Sequence, residues 1–339
     1  MKKSASVEAL DPPVKPFSRG GNLYGYIWWL TSLIPKGRVS TYGSLAKALG
    51  DPIAARAVGK GLSRNPEAPS VPCHRIVMSN GQLGGYAYGR DEKKRLLSEE
   101  GVAVNGEKVD LASSFFDVSE VVNEGPLSVV AREQTYLSSL EKYEDYAFST
   151  FIGIDAAYLE APSTGFELGC ASLVVEGKAT IEPIRITLNV TSPYIPTYLH
   201  LREAPLIFAA LLMLEKKIGK SLMDFFQEAE AVLLIDGDGF MHPRRFGLAS
   251  SVGAALDLPS IGVAKSLLTG SISGDEVISN DRGRREVLGK VMSGKNPRGK
   301  IFYVSSGHGV SLGAAVETLK GGYPDVLLRA HLECKRGAR

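Results

Sequence analysis

The chain predicts two domains of different class: a mainly helical first domain around a helix-turn-helix, then an α/β domain whose mixed sheet is flanked by helices. Three observations lead there. At 339 residues, 44% of them hydrophobic and 22% charged, the sequence is long enough for two ordinary cores. From Leu23 to "GLSRNP", apolar residues recur at helical spacing. Further on, three strand-like runs in succession precede a long amphipathic helix and an apolar strand.

Residues 1–21 carry Pro12, Pro13, Pro16, Gly20 and Gly21 and few periodic apolar positions, the pattern of a flexible leader. "LYGYIWWLTSLIP" is a helix stopped by Pro35, Lys36 and Gly37. "TYGSLAKALG" and "PIAARAVGKGLSRNP" are two short helices split by Gly50 and Asp51, the outline of a helix-turn-helix. Periodicity then fades through a stretch containing "NEGP", so residues 113–125 read as a linker between a first domain at 22–112 and a second at 126–339. The second domain opens with a helix in "AREQTYLSSLEKYEDY". Strands follow in "FIGIDAAYLE", "GFELGCASLVVEG" and "KATIEPIRITLNV", then a helix at about 199–218 and the strand "AVLLIDGDG". Beyond it helices and strands are expected to alternate to the end. "GKVMSGKN", from Gly289 to Asn296, nearly matches a phosphate-binding loop, but Asn296 replaces the required Ser or Thr and a helical pattern precedes it, which argues against nucleotide hydrolysis. His308, in "VSSGHGVSL", reads equally as a turn-capping residue and a functional one.

Composition narrows the function. No apolar run approaches the ~20 residues that span a bilayer, and no apolar segment follows the basic N-terminus, so a soluble cytoplasmic protein without a membrane partner is expected. Cys73, Cys170 and Cys334 are odd in number and widely spaced, offering neither a disulfide framework nor a CxxC zinc site, as in a reducing compartment. The net charge of +2 divides unevenly. Residues 1–118 hold 16 Lys and Arg against 11 Asp and Glu, a balance of +5, which suits a polyanion; the remainder, 23 against 26, suits a carboxylate-built metal site.

"VPCHRIV", residues 71–77, sets a thiol before a histidine. A free thiol with a pKa near ~8.5 is only a few per cent thiolate at neutral pH, so it needs help. His74 can take the proton directly or through water, and Glu100, in "LLSEEG", can orient the imidazole. Taken alone, Cys73 fits a buried structural cysteine better. Its company changes that reading. "GRVSTYGSLAKAL", "AARAVGKGLSRNP", "VPCHRIV", "GGYAYG" and "RLLSEEG" resemble, in order and close to spacing, the DNA-binding domain of the O6-alkylguanine-DNA alkyltransferases over about residues 22–110.

The resemblance implies a mainly α winged helix-turn-helix in which Cys73 takes the alkyl group from O6 of guanine by in-line displacement and stays alkylated, with no cofactor. His74 and Glu100 match the proton relay. Arg56 matches the arginine that fills the stack when the nucleotide leaves, offsetting part of the unstacking cost. Tyr42 matches the tyrosine that turns the 3′ phosphate and donates to the flipped base. Ala54, Ala55, Ala57 and Gly59 match the recognition helix, small enough to approach the minor groove. Asn65 matches the asparagine that braces the active-site turn, Tyr86 the pocket tyrosine, and Arg75 falls among the DNA-binding positions. Two departures stand out: the family's extra N-terminal domain is not expected in the twenty-odd residues before Asn22, and Tyr88 stands where relatives carry glycine or a large aromatic.

In the second domain Asp155 lies in an apolar strand, where an unpaired carboxylate is costly; Asp236 ends another, and Glu203 begins the long helix. Two carboxylates ~4 Å apart repel by about 4 kcal/mol at an effective dielectric of 20, a penalty that a divalent cation removes. All-oxygen ligands favour Mg²⁺, with Mn²⁺ as a substitute. "FIGIDAAY", "SPYIPTYLHLREAP", "LLIDGDGFMHPRRFGLASSVG", "IGVAKS" and "VLLRAH" resemble endonuclease V, a DNA repair nuclease of ribonuclease H-like fold, over about residues 126–336. The resemblance makes Asp155, Glu203 and Asp236 the metal ligands or positioners, with His331 beside them, and makes Lys265 the lysine that neutralises phosphate. It makes Pro193, Tyr194, Ile195 and Pro196 the wedge that parts the strands, and makes Gly237 and the segment from His242 to Gly247 the hypoxanthine pocket. Asp238 departs from the histidine or glutamine often found there.

The expected protein is therefore an alkyltransferase domain followed by an α/β endonuclease V domain: a DNA repair monomer acting on damaged double-stranded DNA, on O6-alkylguanine with Cys73 and 3′ to deoxyinosine with Mg²⁺. Two other readings compete: a base-flipping damage sensor without alkyl transfer, which retention of Cys73 disfavours, and a cysteine hydrolase, disfavoured because adjacent residues seldom meet as nucleophile and base.

Overall fold

In the computed structural model the described residues are 22–160, 167–281, 283–296 and 299–336, so the expected leader lies outside them. The described residues up to Val130, with Thr191–Pro193, form one compact unit; Ala131–Val190 and the residues from Tyr194 form another.

In the first unit, α1 (Leu23–Ser32) starts where Asn22 accepts from Gly25 N–H and buries Leu23, Ile27 and Leu30. β1 (Ser40–Thr41) leads into α2 (Tyr42–Ala48), capped by the Thr41 hydroxyl, which accepts from Ser44 N–H. Asp51 caps a 3₁₀ turn at Pro52–Ala54 that runs directly into α3 (Ala55–Ser63), completing the helix-turn-helix. β2 (Ile76–Val77) pairs in parallel with β1, and α4 (Arg90–Glu99) follows. The wing is a short antiparallel hairpin of β3 (Val104–Asn105) and β4 (Lys108–Val109). Val39, Val77, Leu83, Leu97, Val102 and Val109 close a core beneath these pieces. After α5 (Leu111–Ser114), the 113–125 segment is tied down: Ser44 Oγ donates to Asp117 at 2.7 Å and Val118 is fully buried. α6 (Pro126–Leu140) carries the chain across the boundary at Val130, and its helix stops at Leu140, short of "EKYEDY".

The second unit begins with β5 (Thr150–Glu160), β6 (Glu167–Gly177) and β7 (Ile181–Asn189), the three successive strands expected. α7 (His200–Ile218), α8 (Leu222–Ala229), β8 (Ala231–Ile235), α9 (Leu248–Leu256) and β9 (Ser260–Ala264) follow. Then come β10 (Ser271–Ser273), β11 (Glu276–Ser279), β12 (Glu286–Asn296) and β13 (Gly299–Ser306), with α10 (Leu312–Thr318) and α11 (Asp325–Arg336) at the end. All nine strands share one sheet in the order β10-β11-β12-β13-β9-β8-β5-β6-β7, with β5, β8 and β9 parallel and the other pairings antiparallel.

Strand alternation sends Ile152, Ile154, Ala171 and Leu173 to a core shared with α7 and sends Val174, Val232, Leu234 and Val263 to the opposite core, under α10 and α11. Gly153 is what lets α11 lie so close to β5, because a Cβ there would stand 2.6 Å from the Val326 carbonyl carbon.

One expectation fails. After β9 the chain does not alternate helix with strand but makes four consecutive antiparallel strands; "GKVMSGKN" lies within β12, and the strand β11, not a helix, precedes it. The physical reason is that β12 is half-buried on both faces, so its residues lack the period-two contrast by which a strand announces itself.

Candidate active sites

In the first unit a 3₁₀ turn at Cys73–Arg75 presents the thiol to a cavity of about 300 Å³ lined by Tyr42, Gly59, Asn65, Ala68 and Tyr86 among others. Asn65 Nδ2 donates to Cys73 Sγ at 2.9 Å and to Val71 O at 3.2 Å, fixing both sulfur and turn. Burial pushes the thiol above its ordinary value, with the Asn65 bond and the Lys93 charge pulling the other way. The sulfur therefore rests as a thiol, and a base must take its proton.

Beside the thiol, His74 and Glu100 meet. His74 Nε2 donates to Glu100 at 3.0 Å, while His74 Nδ1 is buried without a hydrogen-bond partner and stands ready to accept. Arg75 Nε and Nη2 grip the same carboxylate at 2.8 and 2.6 Å, and its Nη1 donates to Ile34 O at 2.6 Å. Burial raises the Glu100 carboxyl, but the bonds from Arg75 and His74 outweigh it and hold it below the usual carboxylate range. Burial meanwhile lowers His74, so the imidazole rests neutral. Arg75, half-buried, thus braces Glu100.

Sequence reading missed Lys93. It is fully buried, donates to Ile76 O at 2.5 Å and to Gly85 O at 3.2 Å, and burial brings it down to about 8, with the Cys73 charge opposing. In "RDEKKRLLSEE" it looks like one more solvated charge. The signal was helical phase: Lys93 lies four residues before the buried Leu97.

The recognition helix divides by burial. Ala54 and Ala57 are packed inside, whereas Arg56 and Lys60 are exposed, and Ala55 and Gly59 sit between. The outward face is thus carried by Ala55, Arg56, Gly59 and Lys60. Tyr88 contacts two residues that line the thiol cavity, its hydroxyl donating to Ala68 O at 3.1 Å and its ring edge-on to Tyr86 at 5.5 Å.

In the second unit a cavity of about 630 Å³ is lined by Asp155, Glu203, Asp236, Asp238 and Lys265, together with Tyr194, Gly237 and His242. Asp155 comes from β5, Glu203 from the first turn of α7, Asp236 from the end of β8 and Lys265 from the end of β9, so the site forms where the parallel strands finish. His331, on α11, meets Asp155 Oδ2 through Nδ1 at 2.7 Å, and Lys265 Nζ pairs with Asp236. Tyr158 donates to Glu203 Oε1 at 3.0 Å.

The electrostatics are those of crowded acids. Burial and then its Asp155 neighbour push Asp236 up to about 7, while Asp155, against its own burial, is held down by His331, Asp236 and Lys265. Burial and then Asp236 push Glu203 up to about 8, and the same causes take Asp238 to about 8. Three oxygen-donor acids carrying this mutual repulsion are the donor set that a hard divalent cation fits. Among the described residues, no three Asp, Glu, His or Cys side chains are already drawn into one cage; Lys265, Tyr158 and His331 each hold one carboxylate in its present place.

The "HPRRFG" segment is built from within. His242 Nε2 donates to Thr197 O at 3.0 Å, and its Nδ1 accepts from Arg244 N–H at 3.2 Å. Burial, reinforced by Arg244, lowers the ring to about 3, so His242 is a neutral brace with both nitrogens committed. Arg244 ties Gln134 Oε1 (2.7 Å) to Thr197, and Arg245, wholly buried, pairs with Glu286 and Asp281 at 2.7 and 2.8 Å. In the wedge segment Pro193 and Ile195 are buried and Pro196 half-buried, leaving Tyr194, 57% exposed, as the ring that projects. Thr197 beside it holds a left-handed φ of 66°.

His308 turns out to be an ion-pair hub, its Nδ1 at 3.0 Å from Glu141 and its Nε2 at 3.1 Å from Asp257. Cys170 and Cys334, far apart in sequence, meet under β5, where Cys334 Sγ donates to Cys170 O at 3.2 Å. Among the described residues no helix is long and apolar enough to cross a membrane.

Fold and sites together define a two-unit protein: a helix-turn-helix with a braced thiol, joined to a mixed-sheet domain with a carboxylate-lined cavity. Residues 22–102 match the family profile "6-O-methylguanine DNA methyltransferase, DNA binding domain" and residues 133–326 match "Endonuclease V". A "Bifunctional methyltransferase/endonuclease" of Picrophilus torridus is 36% identical over 91% of this chain and 95% of its own length; one from Thermoplasma volcanium is 34% identical over 76% and 74%. The chain belongs to this family of bifunctional methyltransferase/endonucleases. Among solved structures, the catalytic domain of human endonuclease V is 25% identical with a TM-score of 0.51 over 63% of this chain and 96% of that one. A Ciona intestinalis endonuclease V, solved with DNA containing inosine, shares the fold at 23% identity and a TM-score of 0.52, over 62% and 97%.

Proposed function

We propose that the chain repairs two kinds of base damage in double-stranded DNA, with one site in each unit. In the unit at 22–112, Cys73 Sγ attacks the alkyl carbon of an O6-alkylguanine held in the thiol cavity. An S–C bond forms, the C–O6 bond breaks with its electron pair going to the guanine, which takes up a proton and is restored in the DNA, and the thiol proton passes to His74 directly or through water. Glu100, kept ionised by Arg75, balances the imidazolium. Tyr42 faces the same cavity and donates to the flipped base, Asn65 keeps the sulfur on line, and Arg56 fills the vacated stack. The thioether is not hydrolysed, so each molecule acts once.

In the second unit, Asp155, Glu203 and Asp236 would hold Mg²⁺, or Mn²⁺ in its place, which would activate water and stabilise charge at phosphorus. Lys265 neutralises the phosphate and His331 orients Asp155. Tyr194 stacks on the bases parted at the lesion, and Gly237 with the braced segment from His242 to Gly247 receives hypoxanthine, so that the strand is nicked 3′ to deoxyinosine. The observation that carries the reading is the pairing of the Asn65–Cys73 contact and His74–Glu100 relay with a carboxylate-lined cavity in one chain.

The test offers both lesions to the wild type, to Cys73→Ala and to Asp236→Ala. Cys73→Ala is expected to lose the mass gain from an O6-methylguanine duplex and keep nicking of an inosine duplex; Asp236→Ala is expected to do the reverse. A wild type that binds O6-methylguanine but gains no mass would make the first unit a damage sensor, and nicking retained by Asp236→Ala would remove the metal assignment.

A further inference from the structure

Cys170 and Cys334 are 164 residues apart in sequence, yet their groups touch: Cys334 Sγ lies 3.2 Å from Cys170 O and 3.5 Å from Asp155 O, and both residues are fully buried. Register explains the meeting. On β6, Gly169 and Ala171 face α7, the first lying against Leu206 and the second inside that core, so Cys170 between them faces the opposite side of the sheet. On α11, the buried stripe Val326, Leu327, Ala330 and Cys334 turns toward that same side. Residues from two elements thus meet directly behind the strand that carries Asp155, and the two thiols share a side-chain hydrogen bond. His331, one turn before Cys334, is the residue that contacts the Asp155 carboxylate.

We propose that Cys170 and Cys334 form a disulfide that fastens α11 to β6 and keeps His331 on Asp155. The oxidant is a small-molecule disulfide of the glutathione class. One protein thiolate attacks it, forming a mixed disulfide and releasing one glutathione thiolate. The second protein thiolate then displaces the other glutathione; two electrons have passed to the oxidant, and the two protein thiol protons end on the released thiols. Because both sulfurs are buried, the bond forms while the chain folds or when the last turn of α11 opens. Cys73 belongs to the other unit and stays free, so the oxidised chain keeps its alkyl acceptor. The inference does not depend on which lesions the two sites repair.

The experiment refolds the full wild-type chain from guanidinium in glutathione buffer, then counts free thiols by maleimide labelling under denaturing conditions and maps the peptides without reduction. The expected result is a loss of about 2 Da, one maleimide adduct, on Cys73, and a Cys170–Cys334 cross-linked peptide. The thermal midpoint of the nuclease unit should stand about 5–15 °C above that of the same protein kept in dithiothreitol, since a long loop is closed. Cys170→Ser should show no such difference between oxidised and reduced samples. Three adducts after oxidative refolding, a glutathione retained on either buried cysteine, or a cross-link that consumes Cys73 would each overturn the proposal. The wild-type comparison needs no variant, so a poorly folding Cys170→Ser leaves it decisive.

Discussion

Asn65 Nδ2 donates to Cys73 Sγ at 2.9 Å, which makes an amide the nearest polar support of a thiol that burial would otherwise hold protonated. Asn65→Ala removes that bond and the second one to Val71 O, so the thiol should rise further and the turn loosen. Single-turnover alkyl transfer at pH 7 is expected to slow by about tenfold, with its pH profile displaced upward, because fewer sulfurs are thiolate at any pH. An unchanged rate and profile would show that Asn65 shapes the turn without tuning the sulfur.

His308 supplies a pH dependence of stability in the second unit. Its hydrogen bond to Glu141, and then that to Asp257, raise it above the ordinary imidazole value despite burial. The folded chain therefore holds the proton more tightly than the unfolded chain. That stabilisation is fully present below about pH 6.5 and is lost as pH climbs through the folded value. Thermal midpoints of the wild type minus those of His308→Gln, measured from pH 5 to 8.5, should shrink by a few degrees across this window. A constant difference would mean that the hub acts through packing alone.

Chemistry placed by motif was readable in the sequence, while chemistry placed by packing was not. Cys73, Asp155, Glu203 and Asp236 stand in short segments whose residue types only make sense together; Asp155 and Glu203 lie on the strand and the helix their patterns indicated, and Asp236 directly follows its strand. Lys93 was hidden because a buried lysine inside a charged helix differs from its neighbours only in phase. Arg245 was hidden because its partners, Asp281 and Glu286, lie some 40 residues on, in the turn before β12 and at its first residue, a region that was itself misread. Cys170 and Cys334 looked unrelated because wide spacing rules out a local motif, whereas a sheet and its covering helix can join residues any distance apart.

The raised carboxylates link metal binding to pH. Glu203 at about 8, Asp236 at about 7 and Asp238 at about 8 all keep protons longer in the folded chain than when unfolded, so without a cation stability falls as pH climbs from about 4 to 8. A divalent cation must displace those protons at pH 6 but finds them largely gone at pH 8.5. The rise in thermal midpoint on adding Mg²⁺ should therefore be larger at pH 8.5 than at pH 6, and EDTA should abolish it at both. Equal shifts at the two pH values would place the cation away from these groups.

Tyr158 holds one oxygen of Glu203 and leaves the other to the cavity. The phenol is itself fixed, because the Arg202 guanidinium lies 3.7 Å over its ring and is fastened to Glu167 at 2.8 Å. A carboxyl group so buried and repelled by Asp155 and Asp236 would swing without a donor, and groups that orient metal ligands commonly matter about 10–100-fold in affinity. Tyr158→Phe deletes only the hydroxyl and keeps the stacked ring. Mn²⁺ titrated into this variant by calorimetry, without DNA, is expected to bind at least about tenfold more weakly, while nicking at saturating Mn²⁺ recovers most of the wild-type rate. In a Glu203→Gln background the same change should add little, since the carboxylate it positions is gone. Equal losses in both backgrounds would make Tyr158 a packing residue, and a Glu203→Gln variant that binds Mn²⁺ like the wild type would show that Glu203 is no ligand at all.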